Sequence, residues 1–259
     1  MSDDRAVDPE RTSLETALHT ALEAGVRTQM SGGYTARVQE TMQAVAAAMG
    51  AQRAEASVSS VVVGLTVHRG GWSRTAFQRT PKIGMNFSEL SALSQLTRDA
   101  PTMAPGQIRE RLDAIETTEG RYPLPLVLAM LGVACGAFAA LFGADLPGIL
   151  AAAVGGYAGA AVRHQMAQWK YQPFIFCLAA AFASTIIVVV LLPVTATPNP
   201  ALAACVLYLV PGVPLLNGTA DLIGGHYLNS VVRLTMSLVI ILASGLGVAL
   251  ALALREALG

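Results

Sequence analysis

Leu14, Leu18 and Leu22 recur every four residues, a spacing that predicts an amphipathic helix over 12–25 with Thr12 or Ser13 as its cap. In YTARVQETMQAVAAAMG, Tyr34, Val38, Met42, Val45 and Met49 form a second apolar stripe, and Gly50 is placed to end it. ASVSSVVVGLTV and WSRTAFQRT are β-branched and aromatic runs on either side of HRGG. They predict a hairpin turned at Gly70 and Gly71, with His68 and Trp72 as exposed positions beside the turn. Helical spacing returns at Phe87, Leu90, Leu93 and Leu96, and again at Ile108, Leu112 and Ile115 behind Pro105. Together these elements predict an α+β domain over 1–123, long enough to bury its own core.

From residue 124 the apolar runs reach bilayer length, since a hydrocarbon core of roughly 30 Å takes about 20 helical residues. Five spans are predicted, at about 124–142, 147–163, 173–193, 200–218 and 231–254. Ala151, Gly155 and Gly159 share a face in the second, as Gly132 and Gly136 do in the first, and such faces let helix backbones pack closely. Packing within one bundle is the preferred reading over a seam between two copies. The expected fold is a mainly α membrane protein. A cytoplasmic α+β domain, 1–123, precedes a five-helix transmembrane bundle, 124–259, that contains one proline-broken helix.

Charge divides the chain at the same place. Of 17 basic and 17 acidic side chains only Asp145, Arg163, Lys170, Asp221, Arg233, Arg255 and Glu256 lie beyond residue 123. A neutral total without a basic block argues against nucleic acid as a partner. MSDDRAVDPERTS is acidic and has no apolar core, so it is not expected to be a cleavable signal, and it is expected to stay in the cytoplasm. Arg163 and Lys170 lie in RHQMAQWK between the second and third spans, and Arg233 lies near the start of the fifth. VTATPNP, between the third and fourth spans, carries no charge. The positive-inside rule therefore places the first domain and the second-to-third loop in the cytoplasm and the C-terminus outside. The spans contain no internal repeat. If the chain is half of a carrier, the other half is expected from another copy or a second subunit. Cys135, Cys177 and Cys205 lie in apolar runs without the paired spacing of a zinc site or disulfide framework, so buried free thiols are expected, with no metal and no cofactor.

LYLVPGVPLLNGTADLIGGHY, 207–227, is an apolar run broken by polar residues and prolines. Pro211 and Pro214 remove helical partners from the carbonyls of Leu207 and Val210, and freed carbonyls at membrane depth are costly unless they line a polar cavity. Asn217 and Asp221 are four residues apart and share a helix face just past the kink. An ionised Asp near the bilayer centre costs about 2.5–3.5 kcal/mol, which a function could offset. Two readings stand. In one, the unwound carbonyls around Gly212 and the Asn217 amide contact a polar substrate while Asp221 exchanges a proton or binds an ammonium group. In the other, Asp221 solvates an interfacial turn at GGHY, where His226 and Tyr227 would be ordinary interface residues. Arg233 is a third polar candidate, twelve residues beyond Asp221. In the first domain, Arg27 and Arg37 flank the Gly32–Gly33 turn and could contact an anion or cap the helices.

These stretches resemble the threonine/serine exporter family. The closing signature is LVPGVPLLNGTADLIGGHYLNSVVRLTMSLVIILASGLGVAL: PG-x-P-L-x-N, an acid four residues after the Asn, Gly-x-Tyr-Leu, then Arg and a glycine-bearing span. ALEAGVRTQMSGGYTARVQETMQAVAAAMG is similar to the family's opening and RTPKIGMNFSELSALSQLTRD to its middle. The longest members carry about ten spans and this chain five, so it resembles the large, YjjP-type subunit of the split branch, which works with a short five-span partner.

The resemblance implies a bacterial inner-membrane secondary transporter subunit that exports threonine and serine or a succinate-type dicarboxylate, driven by protons. The partner would be the small five-span subunit, another copy, or both. Amino acids call for both an acid and a cationic or dipolar contact, whereas a dicarboxylate favours Arg, Lys or helix N-terminal amides. Arg163, His164, Lys170 and Arg233 could serve the second, although all four lie where the positive-inside pattern would place them anyway, Arg163 and Lys170 most plainly. An enzyme is not expected: the apolar half has no His deep in a span, and Ser184, Ser237 and Ser244 have no plausible base. The rival class is a membrane-anchored regulatory or scaffolding protein whose cytoplasmic domain is the working part.

Overall fold

The computed structural model describes residues 9–80, 84–117 and 122–258. The start of the acidic N-terminal stretch, residues 81–83 of the middle segment and residues 118–121 lie outside the described residues. Among the described residues the protein is mainly helical, with one small sheet. It divides into two compact units, Met1–Gly120 with Leu215–Arg233, and Arg121–Pro214 with Leu234–Gly259. Composition marks a break near residue 123 but gives no sign that Leu215–Arg233 belongs with the first unit.

The first unit contains α1 (Pro9–Met30), α2 (Thr35–Ala48), β1 (Arg53–Val58), β2 (Val62–Arg69), β3 (Trp72–Arg79), α3 (Phe87–Asp99) and α4 (Pro105–Thr117). Helix α1 is already helical at Pro9, so Thr12 and Ser13 are interior rather than caps. Ser13 Oγ instead accepts a hydrogen bond from Arg69 Nη1 at 3.0 Å. Leu14, Leu18 and Leu22 of α1 pack with Val38, Met42 and Val45 of α2 against Val63, Leu65 and Val67, alternate residues on one face of β2. Leu93 and Leu96 of α3 and Ile108 and Leu112 of α4 complete that core.

The sheet is antiparallel in the order β1-β2-β3. ASVSSVVVGLTV, expected as one run, is two strands. The Ser59 N–H donates to Val62 O at 2.9 Å, and Ser59 Oγ accepts from the N–H groups of Val61 and Val62, folding the chain into a turn. The Gly70–Gly71 turn joins β2 to β3 with Arg69 opposite Trp72, and Gly70 takes φ +57°.

The second unit contains α5 (Leu124–Leu141), α6 (Leu146–Gln168), α7 (Pro173–Leu191), α8 (Pro198–Ala204) and most of α10 (Tyr227–Leu258). Helix α9 (Gly212–Ile223) precedes α10. Among the described residues, four helices are long and apolar enough to cross a bilayer: α5, α6, α7 with its extension to Val194, and α10. A fifth crossing results if Pro198–Leu209 and Gly212–Ile223, bent by 61°, form one broken span. The predicted run at 200–218 contains the bend, which falls between Leu209 and Gly212 as Pro211 and Pro214 imply. The chain is a membrane protein by its apolar helices.

Small residues on α6 face two neighbours. A Cβ at Gly132 of α5 would come within 2.8 Å of Ala153 O, and one at Gly136 within 3.2 Å of Ile149 O. On α6, a Cβ at Gly155 would lie 2.8 Å from Ser184 O of α7, and one at Gly159 would fall on Ser184 Oγ and 2.7 Å from Ala180 O. Backbones this close leave no room for a side chain, and the four glycines serve contacts inside one chain. Cys135, Cys177 and Cys205 are buried as free thiols.

Candidate functional site

The break between α8 and α9 uses its own carbonyls. Leu207 O accepts from the Val210 N–H at 3.1 Å and Val210 O from the Gly212 N–H at 2.8 Å. Tight turns thus take up the groups that Pro211 and Pro214 were expected to leave open to a substrate. Pro214 is the third residue of α9, where an N–H would have no intrahelical acceptor, so the ring costs the helix nothing there.

Asn217, Asp221 and Arg233 do come together, within the first unit and on one short piece of it. Between α1 and α2 the chain runs through Ser31, Gly32, Gly33 and Tyr34. Gly32 sits at φ +94°, a left-handed position that favours glycine, and a Cβ on Gly33 would lie 2.8 Å from Thr28 O. This turn presents carbonyls followed by the N–H groups of the first turn of α2. Asn217 Nδ2 donates to Gly32 O at 2.7 Å, and Arg233 Nη2 donates to Gly33 O at 3.0 Å. Asp221 Oδ1 accepts from the Thr35 N–H at 2.9 Å. Tyr34, the N-cap of α2, makes no side-chain capping bond, so Asp221 satisfies the helix terminus from a distant part of the sequence. A carboxylate there also meets the positive end of the helix dipole.

Two further side chains lock the arrangement. Asn229 Nδ2 donates to Thr35 Oγ1 at 2.9 Å and to Val58 O at 2.8 Å, tying the start of α10 to α2 and β1. Ser230 Oγ donates to Gly218 O at 2.7 Å, holding α9 and α10 together as a hairpin whose connection closes through Gly225 at φ +79°. Neither Asn229 nor Ser230 was singled out from the sequence. Each is a polar residue in an apolar helix, which is the one signal that could have flagged it.

The Asp221 side chain is completely buried, and Arg233 keeps only 12% of its side chain exposed. Arg233 Nη1 stands 3.3 Å from Asp221 Oδ2, yet Oδ2 has no aligned hydrogen bond. One carboxylate oxygen is thus satisfied by a helix terminus and the other is held mainly by charge. A buried ion pair of this kind is weak support for stability, but either charge left alone would be costly.

The far side of the turn is braced separately. Arg27 Nε donates to Glu89 Oε1 at 2.8 Å and Arg27 Nη1 to Leu112 O at 2.9 Å, while Ser31 Oγ donates to Glu89 Oε2 at 2.6 Å. Arg27 therefore joins α1, α3 and α4 inside the core. Arg37 lies over the Tyr34 ring at 5.4 Å. In the second unit, Arg163 lies over the Phe176 ring at 6.0 Å.

Asp145, between α5 and α6, stands out in the sequence only by its charge. It accepts hydrogen bonds from Thr195 Oγ1, the Ala196 N–H at 2.8 Å, Thr197 Oγ1 at 2.7 Å and, as the N-cap of α6, the Gly148 N–H at 3.1 Å. The hydroxyl of Thr195 first, and then these other donors, hold its carboxyl well below the usual carboxylate range. Its loop and the uncharged VTATPNP loop are thereby fastened to each other.

The family model described as "Putative threonine/serine exporter" matches residues 19–255. A protein of Escherichia coli (strain K12), named "Probable succinate transporter subunit YjjP", is 30% identical over 236 residues, covering 89% of this chain and 91% of that one. A protein of the same name from Klebsiella aerogenes is 28% identical over 226 residues, covering 85% of this chain and 87% of its own. No solved structure matches the chain. The turn that receives Asp221 and the hairpin that delivers it both fall inside the matched residues, and the chain belongs to the threonine/serine exporter family.

Proposed function

We propose that the chain is the large subunit of a two-part secondary transporter that exports a small carboxylate-bearing metabolite, threonine or serine or a succinate-type dicarboxylate, in exchange with protons. Family membership makes it a transport protein and not an enzyme. The observation that carries the finer reading is the burial of Asp221 between the N–H of Thr35 and the guanidinium of Arg233, on α9, the second helix of the bent apolar pair. A buried acid on an apolar helix of a transport protein is a group whose protonation can change what its site binds. Asn217 and Arg233 hold the glycine turn against it, and Pro211, Gly212 and Pro214 form the bend.

Arg163, His164 and Lys170 near the α6–α7 connection, against an uncharged connection at 195–197, favour a cytoplasmic first domain, 1–123, and an external C-terminus in a bacterial inner membrane. The relatives are named as subunits, which favours a partner; with the bent pair counted as one span the total of five is odd, and a five-span membrane subunit of the same family fits it, as does a second copy. The test is uptake of labelled threonine and labelled succinate into inside-out vesicles holding this chain with and without such a partner. Proton-driven uptake that needs the partner supports the reading. No uptake of either label by folded, co-assembled subunits contradicts it and returns the chain to a regulatory or scaffolding role.

A further inference from the structure

We infer that the N-terminus of α2 and the guanidinium of Arg233 form a carboxylate-binding site whose resident ligand is the protein's own Asp221, and that the carboxylate of the transported metabolite takes its place. The inference rests on the proposed transport of carboxylates and gives that transport a binding site.

Helix α2 runs for 14 residues, so the N–H groups of its first turn have a full dipole behind them. Its cap residue supplies no side-chain acceptor, and the acceptor present belongs to another segment. Arg233 is fixed beside it by its bond to Gly33 O, with Nη1 turned to the same carboxylate. A backbone N–H and a guanidinium converging on one carboxylate are what recognition of an anionic substrate group requires. The fully buried Asp221 fills the space, but with one oxygen hydrogen-bonded and the other, Oδ2, lacking any hydrogen-bond partner. The self-ligand is thus incompletely satisfied, which lowers the cost of exchanging it for a carboxylate that can align both oxygens. Asn217 and Asn229 donate to the turn and to Thr35 Oγ1 rather than to Asp221, so the frame of the site persists when Asp221 leaves.

The detergent-purified full chain, as wild type, Asp221→Ala and Asp221→Asn, is unfolded thermally in sodium formate and in sodium chloride at matched ionic strength. Formate is expected to raise the Tm of Asp221→Ala saturably by a few degrees, chloride to do so less, and the wild type and Asp221→Asn, whose site is filled, to respond weakly. An equal response of all three proteins, or none in Asp221→Ala, overturns the inference. If Asp221→Ala does not fold, amide exchange of the wild type decides. Sodium succinate should speed exchange across Leu215–Ile223 while Thr35–Val38 stays protected, and neutral succinamide should do neither. Identical exchange in the two solutes overturns it. A carboxylate response without flux of either label keeps the site and removes the transport reading; flux without a carboxylate response does the reverse.

Discussion

The Asp221 carboxylate accepts a hydrogen bond from the Thr35 N–H at 2.9 Å, joining positions 186 residues apart in the chain. This bond caps α2, and it places a fully buried negative charge beside the largely buried Arg233. Asp221→Asn keeps an oxygen for Thr35 but leaves the Arg233 charge buried without its counter-ion. The expected loss of stability is about 3 kcal/mol, the low end for breaking a buried pair, because the 3.3 Å approach is not an aligned hydrogen bond. Denaturant unfolding of the purified chain measures it. Arg233→Gln in the same background should recover part of the loss, since it removes the orphaned charge.

Asn229 has a different task. Its two donated bonds hold the start of α10 to Thr35 and to the end of β1, so Asn229→Ala frees a buried hydroxyl and a carbonyl together. A cost of about 1–3 kcal/mol is expected. Amide exchange should speed up across β1 and the first turn of α2 while α5–α7 are unaffected. Unchanged exchange in the first unit would rule out this anchoring role.

The close approach of α6 and α7 predicts a contrast between two glycines. Gly159→Val places side-chain atoms against Ser184 Oγ and Ala180 O and should cost at least about 1–3 kcal/mol through overpacking. Gly245→Ala in α10 meets nothing within 4 Å and should be neutral, or stabilising by up to about 1 kcal/mol through helix propensity. Apparent Tm in one detergent compares them directly.

Asp145 predicts a dependence on pH. Its folded pKa is depressed, so its contribution to stability is present above the unfolded value of about 3.9 and is lost as pH falls through the folded pKa. Asp145→Asn should therefore unfold more readily than wild type at pH of about 6, and the gap should narrow as the pH is lowered below about 4. A gap that stays constant with pH would show that the Asp145 charge does not fasten the two loops.

Much of this architecture is visible in local pattern. The stripes of Leu14, Leu18 and Leu22 and of Val38, Met42 and Val45 form the core of the first unit because helix period alone decides which face is buried. The Gly70–Gly71 turn is legible because a two-residue hairpin needs glycine-friendly angles. The turn at Ser59 is not, since Ser and Val are both acceptable in a strand and the turn is made by a single hydroxyl. Asn217 and Asp221 stand out as polar residues one helical turn apart. Their destination does not, because a hydrogen bond to Gly32 or Thr35 leaves no trace in the residues around either partner. The same holds for Asn229, for Arg27 with Glu89, and for the donors that converge on Asp145 from a loop about 50 residues away. Proline spacing marks the bend but not its internal bonds, which depend on the short turns formed on either side.

Under the proposed function, the buried Asp221 works in transport. This role is tested most directly by proton-driven uptake of labelled threonine and labelled succinate in inside-out vesicles that contain the partner subunit, with either wild type or Asp221→Asn at equal folded amounts. Flux of the preferred label by wild type and its loss in Asp221→Asn is the predicted result. Equal flux from the two proteins would contradict it and leave Asp221 as a helix cap alone.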